Sequence, residues 1–159
     1  MPVNLYGPGD KFDPEKSHVI PALIKKFIEA KEKGEKEVVV WGTGVATREF
    51  LYVEDCADGI LLAAEHYDKP EPVNLGSGTR HTIKQVLETI LNNYDKNPEI
   101  IYETSKNYGD KIRTMNISRA ISLGFNPKTS LEEGIRNTMD WYKENKEAAN
   151  RRYDIFRKI

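Results

Sequence analysis

Three times in its first half the chain runs a short apolar segment straight into two glycines one residue apart. Val3-Asn4-Leu5-Tyr6 meets Gly7-Pro8-Gly9, Glu37 to Trp41 meets Gly42-Thr43-Gly44, and Val73-Asn74-Leu75 meets Gly76-Ser77-Gly78. Glycine reaches backbone conformations closed to other residues, so it punctuates a chain where an element leaves a core and turns. Strand-like runs closed in this way, separated by helix-like stretches, are the pattern of an α/β protein. The first run raises a further question. A strand with nothing before it has no partner supplied by earlier sequence, so the opening reads like the middle of a longer protein.

The stretches between the runs have helical periodicity. Val19, Ile20, Leu23, Ile24, Phe27 and Ile28 form a stripe that Ser17 can cap, with Pro21 tolerated in the first turn and Gly34 as the stop. Phe50 to Val53 is a short strand candidate, and Glu54 and Asp55 then open a helix through Ile60, Leu61, Leu62 and Ala64. Their negative charge is favourable at a helix N-terminus. Thr82 and Gln85 have capping-box spacing ahead of Ile83, Val86, Leu87, Ile90, Leu91 and Tyr94. Glu99 to Glu103 is a further strand candidate. Ser130 and Glu133 repeat the box ahead of Leu131, Ile135, Met139 and Tyr142, and the charged tail after Lys143 continues or frays that helix.

With 159 residues and a net charge of -1 the chain has room for one core and no basic excess. That argues against a nucleic-acid surface. The lysines at 25, 26 and 31–36 are interleaved with Glu and read as a solvated helix face. Cys56 is the single cysteine, so no internal disulfide forms, and a reducing, cytoplasmic setting is expected. No apolar run reaches membrane-spanning length, and no metal site is expected. No G-x-G-x-x-G occurs; Gly42-Thr43-Gly44 comes nearest, but Thr47 stands where the third glycine belongs. That segment reads as an ordinary turn after a strand, and the chain alone is not a dinucleotide-binding domain.

The order of the punctuated segments carries a resemblance. "NLYGPGDKF", "SHVIPALIKKF", "VVVWGTGVATREFLYVEDCADGI", "VNLGSG" and "SRAISLGFNP" follow one another. Together they resemble the C-terminal part of the extended short-chain dehydrogenase/reductase superfamily, whose members handle nucleotide sugars. "SHVIPALIKKF" joined to "WGTGVATREFLYVED" is narrower and resembles the GDP-L-fucose synthase family. The likeness runs from Pro2 to about Asn145. It implies an α/β fold: the C-terminal substrate-binding part of such an enzyme, with only the last strands of the Rossmann sheet present. Residues 1–12 would be a remnant of the Rossmann domain, and 13–145 the substrate-binding region with Rossmann-returning segments at about 54–95. Residues 146–159 would be a charged tail. The resemblance puts the dinucleotide loop and the catalytic Ser, Tyr and Lys upstream of Met1.

By the same resemblance the parent reaction inverts carbons beside a ketone and then reduces that ketone with NADPH. Inversion needs a proton donor with a pKa near working pH, and histidine suits it. His18 matches the family histidine in that role and near the cofactor; by position alone it is a structural residue at a helix start. His66 and His81 read as structural. Pro2, Val3, Asn4 and Leu5 match the stretch along the nicotinamide, and Asn4 also matches a substrate contact. A nucleotide-sugar diphosphate calls for cations in fixed geometry, where a guanidinium offers two parallel donors. Arg48 matches the superfamily arginine; Arg113 and Lys26 match basic positions, Lys26 with the charge but not the fork. Trp41 has two readings, core packing or lining the substrate pocket. Tyr108 and Asn116 depart from the pattern, standing where acids are common.

The expected function is that of a GDP-sugar-binding fragment, inactive alone, with NADP as the parent family's cofactor. The expected partner is a separate Rossmann half or a second copy of the chain. Two other readings stay open: a fragment of another nucleotide-sugar epimerase or dehydratase, and a non-catalytic interaction module of the same fold. A module deprived of its other half is expected to expose apolar surface, with the Glu54 to Ala64 helix and the edges of "VNLY" and "VNLG" as candidates.

Overall fold

The computed structural model describes residues 1–13, 16–93, 98–105 and 111–151. In chain order it forms β1 (Asn4–Tyr6), α1 (Val19–Lys33), β2 (Glu37–Trp41), β3 (Thr47–Tyr52) and α2 (Val53–His66). There follow β4 (Arg80–Thr82), α3 (Ile83–Leu91), β5 (Glu99–Glu103) and β6 (Ile112–Arg113). Three helices close the chain: α4 (Ser118–Ser122), α5 (Leu131–Glu144) and α6 (Lys146–Arg151). Tyr94, expected on the α3 stripe, and Tyr108 lie outside the described residues.

Strand β3 organises the sheet by changing partners halfway along. Its second half runs parallel to β1, pairing Asn4 with Phe50 and Tyr6 with Tyr52. Its first half lies between β4, antiparallel, and β6, parallel. Glu49 sits at the changeover, 2% exposed, and its carboxylate accepts from Gly78 N–H (2.8 Å) and Met115 N–H (3.2 Å). Its backbone carbonyl accepts from Asn4 Nδ2 (2.9 Å). One buried side chain therefore ties together the segments beside β4 and β6, and the backbone of the same residue holds Asn4 of β1. Strands β2 and β5 form a separate parallel pair.

The expected caps divide. Thr82 and Gln85 make both bonds of a capping box, and Ser130 Oγ accepts from Glu133 N–H. Ser17 caps nothing: the N-cap of α1 is His18, one residue later, so the Ser17 hydroxyl sits too early to reach the first free N–H groups. Gly34 ends α1 in the left-handed conformation (φ 68°), as expected. Asp55 does more than face the dipole of α2. It is buried, and its two oxygens accept from Lys128 N–H and Thr129 N–H, both at 3.0 Å. The 73–75 run, expected as a strand, forms a single bridge, Leu75 to Pro2, so the first and third glycine-closed runs pair with each other. Gly7 (φ +153°) closes the first run because a Cβ there would stand 2.5 Å from Val53 at the start of α2. The short strands β4 and β6 and helix α4 carry too few residues for a periodicity to show.

The main core gathers α1, α3 and α5 over the strands, with Phe12 stacked on Tyr142 at 4.4 Å between centroids. Burying a side chain such as Phe27 or Ile24 contributes roughly 1.5–3 kcal/mol. A smaller cluster of Leu51, Cys56, Leu75, Ala120 and Phe125 lies under α2. Burial there pushes the Cys56 thiol pKa up. On the outer side of α2, Ile60 and Leu61 are 55% and 63% exposed. Among the described residues no helix is long and apolar enough to cross a membrane.

Candidate functional site

The glycine turn after β2 opens into a cavity of about 320 Å³. One side is α1, where Val19, Ala22, Leu23 and Lys26 recur at helical spacing on one face. Isoleucines 20, 24 and 28 turn the other way, into the core. Opposite stand Val40, Trp41 and the Gly42-Thr43-Gly44 turn, with Ala46, Arg48 and Ile83 completing the lining. Gly42 and Gly44 both hold positive φ (82° and 76°), and a Cβ on Gly44 would meet the Tyr102 ring at 3.0 Å. The turn is thus fixed by conformation on both sides of Thr43.

Strand alternation places Trp41 outside the core. Val38 and Val40 are buried, while Glu37, Val39 and Trp41 face out. Trp41 is 56% exposed, and the cavity, not the core, is what its ring borders. Lys26 Nζ lies 5.9 Å from the centre of that ring and donates to the Val39 carbonyl at 2.5 Å. A cation over an indole face adds about 0.5–1 kcal/mol at an exposed site and holds both groups in place.

Arg48 enters the same cavity from β3, with Nη1 donating to the Thr47 carbonyl at 2.9 Å. Register puts it in a cross-strand row: His81 of β4 is its partner on one side and Arg113 of β6 on the other. Directly paired residues share a face, and like charges there repel. Burial lowers the pKa of His81, with Glu132 acting against the shift, so neutral imidazole is favoured at the third position. Among the described residues the cavity lining contains two cations and no carboxylate. Its chemistry suits an anionic ligand with a flat or apolar part.

The structure brings together Lys26, Trp41 and Arg48, with Arg113 exposed beside Arg48 but outside the lining. It does not bring in the rest. His18 is exposed at the start of α1, between the lining residues Ser17 and Val19. Asn4 uses its amide on the Glu49 carbonyl, while Val3 and Leu5 pack against the smaller cluster and Pro2 bridges Leu75. Asn4 and Leu5 lie on β1, at the end of the β1-β3-β4 order, and the sequence contains no G-x-G-x-x-G. Two tyrosines have lysine four residues on, Tyr102 with Lys106 and Tyr142 with Lys146. Tyr142 is buried against Phe12 and Lys146 pairs with Glu32, while Tyr102 lies on strand β5. Neither makes a catalytic pair on one helix face.

Sequence reasoning passed over Ser17, Thr43, the α1 face and Ile83. A signal was present at the turn. Ligands of α/β proteins gather outside the carboxyl ends of strands, which is where Gly42-Thr43-Gly44 stands.

Residues 1–76 match the model of the NAD dependent epimerase/dehydratase family. The chain is 46% identical over 145 residues to a probable GDP-L-fucose synthase 1 of Oryza sativa, covering 91% of this chain and 44% of that protein. Its fold matches a crystal structure of a GDP-L-fucose synthetase from Naegleria fowleri bound to NADP, with a TM-score of 0.85 and 33% identity. That match covers 92% of this chain and 46% of the other. A UDP-glucose 4-epimerase of Thermotoga maritima, with UDP-glucose, matches at a TM-score of 0.73 and 30% identity, over 91% and 45% of the two chains. By sequence and by fold, then, the chain is homologous to the GDP-L-fucose synthases, and it spans a little under half the length of the relatives it matches.

Proposed function

We propose, from that homology, that the chain is the substrate-binding part of a GDP-L-fucose synthase-like epimerase/reductase that uses NADPH and acts on GDP-4-keto-6-deoxy-D-mannose. The observation that carries the reading is the convergence of Lys26, Trp41 and Arg48 on one cavity, with no acid among its described lining residues. In this reading Arg48, joined by Arg113, grips the diphosphate with parallel guanidinium donors, and Lys26 adds a point charge. Trp41 supplies a flat apolar wall. His18, exposed at the mouth of α1, is the acid in the inversion, and the strand edge from Pro2 to Leu5 lies along the nicotinamide. When bound, NADPH supplies the hydride. The residues of this chain do not complete its site, so the chain binds the GDP-sugar and does not turn it over alone. A second polypeptide carrying the dinucleotide loop, or a second copy, covers Ile60 and Leu61 of α2.

Thermal unfolding followed by circular dichroism, with and without excess ligand, tests this. Ligand at about 100 times its dissociation constant stabilises the folded state by roughly 2.7 kcal/mol. The midpoint is expected to rise with GDP-L-fucose and not with UDP-glucose. A rise with UDP-glucose alone would move the chain to another nucleotide-sugar enzyme, in line with its likeness to the UDP-glucose 4-epimerase. A cooperative transition that neither ligand shifts would favour an interaction module. NADPH consumption that tracks the purified chain would refute the claim of inactivity.

A further inference from the structure

Two hydroxyls at the wall of the cavity have no hydrogen-bond partner. Ser17 Oγ and Thr43 Oγ1 are both shut off from water and bond to no group among the described residues, yet both residues line the cavity that holds Arg48, Lys26 and Trp41. A buried polar group left unpaired costs about 1–3 kcal/mol, so a native structure rarely keeps one without a use. Here two occur on opposite walls, one ahead of α1 and one in the turn after β2. Neither is explained by local structure: Ser17 caps no helix, and Thr43 stands between two left-handed glycines that set its backbone.

Resting on the nucleotide-sugar reading above, we infer that Ser17 and Thr43 are ligand-contacting residues, whose hydroxyls turn about χ1 into the cavity and hydrogen-bond polar groups flanking the diphosphate. Those groups are the ligand's own hydroxyls or the polar edge of its base. A hydroxyl both donates and accepts, so it suits neutral polar groups, while Arg48 and Lys26 take the charge. The cost of the two orphans in the empty cavity disappears in the complex, which makes them a source of selectivity. A ligand that lacks the matching polar group leaves them unpaired.

The test uses the full chain with Thr43→Val and Ser17→Ala, and with Thr43→Ser as the conservative variant. Calorimetric titration with GDP and GDP-L-fucose gives affinity, and thermal unfolding without ligand gives stability. Thr43→Val and Ser17→Ala are each expected to weaken binding about fivefold to tenfold. Thr43→Ser keeps the wild-type affinity. The unliganded midpoint stays level or rises in Thr43→Val, because the substitution removes an unpaired hydroxyl; a purely structural role would lower it. Weakening toward both ligands places the contact on the nucleoside, and weakening toward GDP-L-fucose alone places it on the sugar. Wild-type affinity in both deletion variants, while the parent chain binds, overturns this inference and leaves the nucleotide-sugar reading standing. Absence of binding by the parent chain overturns both.

Discussion

Glu49→Ala should be the most damaging single substitution in the sheet. The wild-type carboxylate is 2% exposed and accepts from Gly78 N–H at 2.8 Å and Met115 N–H at 3.2 Å. Space around it is tight, since a Cβ on Gly76 would lie 2.2 Å from Glu49 Oε1 and 3.1 Å from Ile117. Alanine removes the acceptor from both N–H groups, at about 1–3 kcal/mol for each. It also deletes buried methylenes, at about 0.8 kcal/mol apiece. Relief of the carboxylate's own desolvation offsets part of this. The net expectation is a loss of about 3–5 kcal/mol, a large share of the roughly 5–15 kcal/mol that holds a domain together. Glu49→Gln keeps one acceptor oxygen and should lose about half as much. Urea unfolding followed by circular dichroism measures both. A Glu49→Ala midpoint within about 1 kcal/mol of wild type, at an unchanged slope, would refute the view that this carboxylate ties the segments beside β4 and β6 to β3.

Arg48→Lys keeps the charge and loses the fork. It should weaken GDP-L-fucose binding by about tenfold, with Arg48→Ala weaker again, as read by calorimetric titration. His81 makes stability depend on pH. Burial lowers its folded pKa below the ordinary 6.5, so the unfolded chain binds the proton more readily. Stability from this residue is complete above about pH 6.5 and falls as the pH drops towards the folded value. His81→Asn should flatten that part of a stability–pH profile, and an unchanged profile would count against it. Leu61→Glu puts a charge on the outer face of α2. It should reduce self-association and dye binding, measured by light scattering and fluorescence, while leaving the unfolding midpoint within about 0.5 kcal/mol of wild type.

Much of the architecture was legible from short-range physics. The α1 stripe, the Gly34 stop, the Thr82–Gln85 box and the first two glycine-closed runs all depend on neighbours a few residues apart, and each stands where the sequence indicated. Of the candidate residues, Lys26, Trp41 and Arg48 share a cavity, whereas His18 and the residues of β1 lie outside its lining. Ser17 was misread for a specific reason. A cap works over one or two residues, and a shift of one position turns the same hydroxyl from a helix partner into part of a cavity wall.

By itself, then, the sequence determined the α/β alternation, the end of α1 and the starts of α3 and α5, because propensity, capping and glycine conformation act along the chain. The pairing of β3 with three different strands was for tertiary structure to decide. Nothing near Glu49 in sequence announces Gly78 and Met115, which lie 29 and 66 residues away. The same holds for the site. Arg48 and Arg113 become neighbours only through parallel register, and Ser17 and Thr43 face one cavity only because α1 packs beside the end of β2. Contacts of that range are set by which apolar faces bury one another, and that is a property of the whole packed chain.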